Sequence, residues 1–130
     1  MKIILSVYML KKNNHNFPLK SILNILDNKF KFEIIYYLIQ KKMRFGEIKN
    51  NLYNINQQLL TKLLKQLEKD NLIKKKEFNE FPKKVEYSIT GFGLLFKPIV
   101  DNLFKWEEKN KTVLLKNRKH KKRNSLFDYY

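Results

Sequence analysis

The sequence predicts a mainly helical domain that carries one small β-hairpin, an α+β fold. Apolar side chains recur at helical spacing in several stretches between residues 18 and 70 and again after residue 90. Between residues 72 and 89, two short runs with the character of strands flank a turn that contains Pro82. Short helices followed by a basic two-stranded ribbon are, in that order, the parts of a winged helix-turn-helix.

The first two helices are marked by the residues at their starts. Pro18 fits the first turn of a helix, where its missing N–H would have no partner in any case. Asp27 or Asn28 is suited to cap the second helix. We expect both helices to face a core through apolar side chains, which are Leu19, Ile22, Leu23 and Leu26 in the first and Phe30, Ile34, Ile35, Leu38 and Ile39 in the second.

The third and fourth helices are predicted to form the helix-turn-helix. The third spans about residues 45 to 52, and the link at residues 53 to 55 turns the chain before Asn56, a good N-cap. The fourth helix runs to about Asp70, with a buried stripe of leucines at positions 60, 63, 64 and 67. Its opposite, polar side is formed by Gln57, Gln58, Thr61, Lys62 and Lys65. Such a polar side is what a recognition helix offers to DNA.

A hairpin is predicted between residues 72 and 89. One strand begins at Leu72 and runs through Phe78, and residues 84 to 89 alternate apolar and polar side chains, as a half-buried partner strand does. Residues 79 to 83 form the tip of the hairpin, which we call the wing.

A last helix is predicted after Thr90, which caps it. Gly91 and Gly93 lie in its first turn, where close packing against another segment would justify their low helix propensity. Pro98 should kink or divide this helix, because proline lacks a backbone donor. Its apolar surface exceeds what one small domain can cover, so we expect a dimer interface that includes Leu95, Ile99, Leu103 and Trp106.

The chain is predicted to contain one domain with an extension at each end. Residues 1–17 are an arm packed on the domain or on a partner subunit, with a frayed end as the alternative. Residues 18–112 form the winged helix-turn-helix domain with its dimerisation helix, and residues 113–130 a basic, flexible tail. The apolar start is short, interrupted and without a small-residue cleavage site, which argues against a signal peptide. No stretch is long enough for a membrane span.

The net charge favours an anionic partner. Among 130 residues, 28 are Lys or Arg and 12 are Asp or Glu, a balance of +16. A field of this sign favours phosphate backbones or anionic lipid, although an enzyme for acidic substrates could share it. Only three of the basic residues are Arg and Ala is absent, as A/T-biased codons would produce without selection for binding. The location of the charge is therefore better evidence than its total.

Several kinds of chemistry lack the residues they need. The absence of cysteine excludes disulfides, thiolate metal sites and a cysteine nucleophile, and it agrees with a cytoplasmic location. His15 and His120 have no partners at ligand spacing, so no metal or other cofactor is predicted. No Ser/His/Asp grouping and no Gly-rich phosphate loop supports an enzyme.

Taken together, these residues resemble the HxlR family of winged helix-turn-helix transcriptional regulators from Phe17 to about Asn110. Each match is weak alone, but their order and spacing are specific. The matches are Lys29, Arg44-Phe45, Glu47-Ile48, Leu60-Thr61, Leu64, Leu67-Glu68, Leu72-Ile73, Pro82, Val85-Glu86-Tyr87, Thr90, Gly93, Pro98 and Trp106. The resemblance implies a bacterial or archaeal cytoplasmic homodimer that binds double-stranded operator DNA.

The sequence departs from the family pattern in three places. Phe17 stands where many members carry a cysteine, some of them to sense electrophiles or oxidants, so cysteine-based sensing is excluded here. Asn28 and Phe30 replace a usual glycine and tryptophan, with packing preserved. At the recognition helix, Asn56 and Gln58 replace a common serine and lysine, which leaves the fold intact and the operator sequence open.

Five residues of the fourth helix are predicted to contact DNA. Gln can make a bidentate contact to adenine and Thr can touch a thymine methyl group, so Gln57, Gln58 and Thr61 are predicted to read bases. Lys62 and Lys65 are predicted to hold phosphates. The alternative for each residue is an ordinary solvated helix face.

Four further basic residues are predicted to hold the DNA backbone. Lys83 and Lys84 on the hairpin would bind phosphates, unless they only block pairing of the strand edge. The family usually has arginine at the position of Lys84, and lysine makes a weaker planar contact. Arg44 and Lys49, near the third helix, are predicted backbone anchors, with a solvated surface as the alternative.

The predicted function is that of a homodimeric, sequence-specific transcriptional regulator acting on an inverted-repeat operator. The alternative is a nonspecific, architectural nucleic-acid-binding protein whose affinity comes from its tail and net charge. An enzyme is the third and least supported possibility. A small-molecule effector is not indicated by any residue pattern.

Overall fold

A computed structural model describes residues 19–124, with side chains from residue 19 to residue 119. The predicted N-terminal arm, Pro18 and residues 125–130 lie outside this range. The chain divides into two units, the first ending at Leu94 and the second beginning at Leu95. The elements of the first unit are α1 (Lys20–Ile25), α2 (Lys29–Gln40), β1 (Met43–Arg44), α3 (Phe45–Asn51), α4 (Gln57–Lys69), β2 (Ile73–Phe78), β3 (Lys84–Ile89) and α5 (Gly91–Leu94), and the second unit contains α6 (Lys97–Asn124).

Helix α2 begins where its cap predicts. The Oδ1 atom of Asn28 accepts a hydrogen bond from the backbone N–H of Phe30 at 2.8 Å, which satisfies one of the donors left open at a helix start. Ile34, Ile35 and Leu38 are buried, as their helical spacing predicts. Of the two capping residues considered, Asn28 is therefore the one used.

The prediction that α1 faces the core was wrong. None of its residues is buried, while Leu19 and Leu23 are 47% and 53% exposed. The helix has only six residues, and among the described residues it makes no extensive contact with another helix or strand. Apolar spacing shows which side chains share a face, but burial needs a second element to cover that face.

Helix α4 lies at the centre of the first unit. Leu60, Leu63, Leu64 and Leu67 are buried, and the helix packs against α2 and β2. Its apolar stripe therefore occupies the core as predicted, and the rotation of the helix about its own axis is fixed. The smaller helix α3 adds Ile48 to the same core.

The three strands form an antiparallel sheet in the order β1-β3-β2. In the predicted hairpin, Ile73 lies opposite Ile89 and Phe78 lies opposite Lys84, so the wing is the connection between them. Strand β1 was not predicted, because two residues are too few to show alternation. It packs the buried Met43 opposite Tyr87 and ties the start of α3 to the hairpin.

Thr90 links the end of β3 to the turn that follows α4 through hydrogen bonds. Its hydroxyl donates toward the carbonyl oxygen of Asn71 at 2.7 Å, and its backbone N–H donates to the carbonyl of Leu72 at 3.1 Å. The same hydroxyl oxygen accepts from the backbone N–H of Gly93 at 2.8 Å, so Thr90 is a helix cap as predicted, but it caps the short α5 and not the long helix that follows. The turn that it grips includes Asn71 at a φ of 60°, a conformation that Asn tolerates better than most residues.

Close packing explains only one of the two glycines in α5. A Cβ on Gly93 would collide with the backbone carbonyl oxygen of Leu72 and lie 2.8 Å from Cδ1 of Ile89. A Cβ on Gly91 would have nothing within 4 Å. The predicted packing role is therefore confirmed for Gly93 and wrong for Gly91.

The second unit is a single long helix, α6. It starts one residue before Pro98, and α5 ends at Leu94, so the predicted interruption occurs before the proline. The helix continues to Asn124, whereas a flexible tail was predicted from residue 113. Residues 113–124 contain neither Gly nor Pro and are rich in Leu, Lys and Arg, which have good helix propensity. No helix within residues 19–124 combines the length and the apolar character needed to cross a bilayer.

The contrast between the two glycines leads to a stability prediction. Gly93→Ala should lower the free energy of unfolding by about 1 to 3 kcal/mol, because a backbone carbonyl cannot move aside as a flexible side chain would. Urea denaturation followed by circular dichroism measures the change.

Gly91→Ala is the matched control from the same helix. It should leave the free energy of unfolding unchanged or raise it by up to about 1 kcal/mol, since alanine is the better helix former. Equal losses in the two variants would contradict the close approach at Gly93.

Candidate nucleic-acid interface

The start of α4 is held by Asn56. Its side-chain Oδ1 accepts a hydrogen bond from the backbone N–H of Leu59 at 2.7 Å, and its carbonyl accepts from the backbone N–H of Leu60 at 3.1 Å. These bonds fix where the helix begins and therefore which residues lie in its first turn. The N-cap predicted from the sequence is confirmed.

The three predicted base-reading residues lie together in the first turn and a half of α4. Gln57 and Gln58 are exposed and Thr61 is half-buried, and with Asn56 they line a shallow depression. The hydroxyl of Thr61 donates to the carbonyl oxygen of Gln57 at 2.8 Å, so its hydrogen is used within the helix. The two glutamines contribute amide groups that can both donate and accept hydrogen bonds.

Lys62 and Lys65 lie further along the same helix and are both exposed. The buried leucines of α4 hold the opposite side of the helix in the core, so these lysines extend the polar face away from the core. The first turn is thus polar and neutral, and the following turns add positive charge.

The turn between α3 and α4 forms a second depression, next to the first. It is lined by Lys49, Asn50, Leu52, Tyr53, Asn54, Ile55 and Asn56. Arg44 and Lys49, the two predicted backbone anchors at this end of the domain, are exposed. The backbone N–H of Arg44 donates to Oε1 of Glu47 at 3.3 Å, which restrains the start of α3. Tyr53 is 82% exposed, whereas the sequence indicated only that it belongs to the link between the two helices.

Lysines on both strands and at the tip of the hairpin have partners at the surface. Nζ of Lys83 lies 3.4 Å from Oε2 of Glu77, and Nζ of Lys75 lies 3.6 Å from its Oε1. Nζ of Lys84 lies 4.7 Å from the centroid of the Phe78 ring. All of these contacts are at the surface, where ion pairs are weak and exchange readily.

A scan against family models matches residues 25–114 to the family described as HxlR-like helix-turn-helix. The chain belongs to this family. The match covers α2 to α5, the whole hairpin and a large part of α6, so it includes each element on which a predicted site residue lies.

Relatives and solved structures agree with this membership. The chain is 35% identical to the helix-turn-helix-type transcriptional regulator YybR of Bacillus subtilis (strain 168) over 102 residues, covering 78% of this chain and 82% of YybR. The reduced form of the redox regulator HypR matches with a TM-score of 0.72 and 35% identity, over 76% of this chain and 98% of HypR. A MarR-family transcriptional regulator from Porphyromonas gingivalis W83 matches with a TM-score of 0.67 and 34% identity, over 72% and 91%. The protein is therefore a DNA-binding, winged helix-turn-helix transcriptional regulator.

The residues predicted to form the dimer interface of this HxlR-like regulator are exposed. Ile99, Leu103 and Trp106 lie on α6 at helical spacing and are 41%, 50% and 56% exposed. Leu95 is 69% exposed, but it lies in the turn before α6 rather than on the helix. The four side chains are thus exposed hydrophobic surface within the part of the chain that the structure describes.

One titratable group in the HxlR-like domain departs clearly from its ordinary behaviour. Burial, and to a smaller extent the carboxylates of Glu68 and Glu77, raise the pKa of the Tyr87 hydroxyl. Tyr87 therefore stays neutral at physiological pH and is a buried packing residue of β3. No group of three or more potential metal ligands occurs within residues 19–119, and the two histidines lie outside the described side chains.

The N-cap of α4 provides a test of how the recognition helix is fixed. Asn56→Ala should lower the free energy of unfolding by about 1 kcal/mol, because the backbone N–H of Leu59 loses its acceptor. Thermal and urea denaturation measure the loss. Asn56→Ser keeps an acceptor oxygen and should stay close to the wild type; a loss equal to that of the alanine variant would show that the cap does not act through this bond.

Proposed function

We propose that this regulator acts as a homodimer and reads an inverted-repeat operator with α4. The observation that carries the proposal is the division of α4 into two sides. Its leucines are buried, whereas Gln57, Gln58, Lys62 and Lys65 are exposed. A helix in this position of a winged helix-turn-helix places the residues of its N-terminal turns against base edges in the major groove.

Base reading is assigned to the first turn and a half of α4. The amide of Gln57 or Gln58 can donate to N7 and accept from N6 of one adenine, a pairing that no other base offers in the major groove. Thr61 would contact a thymine methyl through its own methyl group, since its hydroxyl is bonded to the carbonyl of Gln57. Each good bidentate pair contributes about 1 to 3 kcal/mol of discrimination.

Backbone contacts are assigned to the exposed cations around α4. Lys62 and Lys65 would bind phosphates beside the bases that α4 reads, and Arg44 and Lys49 would bind phosphates at the other end of the helix-turn-helix. Lys83 and Lys84 would exchange their present contacts with Glu77 and Phe78 for phosphate oxygens. Such an exchange is cheap, because exposed ion pairs contribute little in water.

Dimerisation is assigned to the exposed apolar side chains Leu95, Ile99, Leu103 and Trp106. Pairing two copies through the same surface would remove these side chains from water and generate two-fold symmetry. Two recognition helices related by a two-fold axis match an operator whose half-sites are inverted. The arm at residues 1–17, which lies outside the described residues, is proposed to add to this interface.

The setting of this activity follows from its chemistry. We place the regulator in the cytoplasm, where the DNA of the related bacteria lies. Binding to an operator requires no catalysis, no cofactor and no membrane. The sensing mode differs from any that depends on cysteine, because this sequence has none. The proposal leaves the identity of an effector open.

A second candidate function is favoured by the charge of +16. A nonspecific, architectural protein would bind any duplex through its lysines. Competition between the region upstream of the protein's own gene and random duplex, measured across salt concentrations, separates the two functions. A regulator prefers its own region by orders of magnitude, whereas an architectural protein shows only the salt dependence of counterion release.

Gln58→Ala tests base reading directly. The variant should bind the upstream duplex more weakly, by about 1 to 3 kcal/mol, and random duplex almost as tightly as before, because a base contact carries sequence information. Fluorescence anisotropy with both duplexes measures the difference. An equal loss on both duplexes would show that Gln58 does not read a base.

Lys84→Ala is the companion variant for the backbone. It should weaken binding to both duplexes by a similar factor and reduce the salt slope by about one unit, because one phosphate contact is lost. The same anisotropy titrations, repeated at several salt concentrations, give the slope. A loss confined to the upstream duplex would contradict the assignment of Lys84 to the backbone.

Trp106→Asp tests the proposed dimer interface. A carboxylate in the centre of an apolar interface would be desolvated without a partner, so the variant should sediment as a monomer at concentrations where the wild type is a dimer. Thr112→Asp places the same charge on roughly the opposite side of α6 and should leave the dimer intact. Full dimerisation of the Trp106 variant would refute this interface.

A further inference from the structure

The wing carries an aromatic side chain that no other described residue covers. Phe81, the middle residue of the tip, is 102% exposed, more than any other large apolar side chain between residues 19 and 119. A single exposed apolar residue needs no special explanation on most surfaces. Phe81 does need an explanation, because it lies at the tip of the wing.

The other aromatic residue of the hairpin is covered. Nζ of Lys76 lies 4.9 Å and Nζ of Lys84 4.7 Å from the centroid of the Phe78 ring. Both lysines shield that ring with their aliphatic stems while keeping their charged ends in water. Lysines are thus available on the hairpin to cover an aromatic ring, and none covers Phe81.

The chain around Phe81 has the charge of a surface that approaches phosphates. Residues 73–84 carry five lysines and two glutamates, a balance of +3. Two of these lysines, Lys75 and Lys83, pair with Glu77. Lys83 lies two residues after Phe81. A hairpin of this charge is drawn toward a duplex, and most strongly toward a narrow minor groove, where the potential is most negative.

The loop that holds Phe81 is restrained before any partner binds. The backbone N–H of Glu80 donates to the carbonyl oxygen of Phe78 at 2.9 Å, which closes a tight turn at the end of β2. Pro82 follows Phe81 directly and has its own φ fixed by the pyrrolidine ring. A loop that is already ordered loses less conformational entropy when it binds.

We infer that Phe81 is an apolar wedge, which enters the minor groove beside the half-site read by α4 and partly unstacks one base step there. The inference rests on the proposed function. A ring without donors or acceptors gains nothing from phosphate oxygens, but it gains when it leaves water and stacks on a base. Apolar side chains inserted between base steps in this way open and kink the duplex toward the major groove.

The wedge adds specificity at positions where no hydrogen bond is made. Pyrimidine–purine steps such as TA and CA/TG unstack most easily, so operators with such a step under the wing would bind better than operators with stiffer steps. Lys83 and Lys84 would hold the phosphates on either side of the opened step. The hairpin then contributes deformability readout, while α4 contributes direct readout.

The test uses the full chain as a wild type and three variants, Phe81→Ala, Phe81→Trp and Lys83→Ala. The probe is the fragment of the protein's own upstream region that the wild type binds most tightly. In separate duplexes, 2-aminopurine replaces one flanking adenine at a time, because its fluorescence rises when it is unstacked. Affinity is measured in parallel as a function of salt concentration.

The wedge predicts a distinct result for each variant. The wild type should raise the fluorescence of 2-aminopurine at one flanking step. Phe81→Ala should lose this signal and about tenfold in affinity, with an unchanged salt slope, since only apolar contact is removed. Phe81→Trp should keep the signal. Lys83→Ala should keep the signal but have a smaller salt slope. Thermal unfolding of Phe81→Ala should match that of the wild type, because the ring is fully exposed.

Two outcomes would overturn the wedge and leave the proposed function standing. One is tight binding of the upstream duplex by the wild type with no fluorescence change at any flanking position. The other is a Phe81→Ala variant with wild-type affinity and signal. A wild type that does not distinguish the upstream duplex from random duplex would overturn the proposed function and the wedge together.

Discussion

The burial of one side of α4 is the constraint on which the rest of the structure depends. Leu60, Leu64 and Leu67 are almost fully buried, so the helix cannot rotate without exposing them to water. Their position fixes where the glutamines and lysines of the opposite side point, and Asn56 fixes where the helix starts. The polar side chains of α4 therefore stand on a rigid support, and the proposed contact with base edges would require such a support.

The hairpin differs from α4, because its charged side chains are held only by weak contacts at the surface. Glu77 pairs with two of its lysines and the ring of Phe78 lies under two others, all at the surface. Because these contacts are exposed and weak, phosphate oxygens can replace them at little cost.

Sequence patterns predicted the elements in which apolar residues recur at a regular spacing. The leucines of α4 and the cap Asn56 were correctly interpreted, because each is a local signal, and Asn28 was one of two candidate caps. The alternation in β3 located the strand, although only Tyr87 is buried there and its neighbours are half-buried. Thr90 was expected to cap the long last helix and instead caps the short α5. Strand β1 was missed because two residues show no period, and α1 was misjudged because burial depends on what covers a face. The site residues could be grouped from the sequence, but the bond between Thr61 and Gln57 and the isolation of Phe81 appear only in three dimensions.

Selection of binding sites from a pool of random duplexes tests the central claim most directly. If two copies of this chain read DNA through α4, the wild type should enrich one short motif, repeated in inverted orientation with centres about one helical turn, or a multiple of it, apart. Enrichment of an unpaired or directly repeated motif would contradict the symmetric dimer. Recovery of duplexes with no common motif would contradict reading by α4 itself.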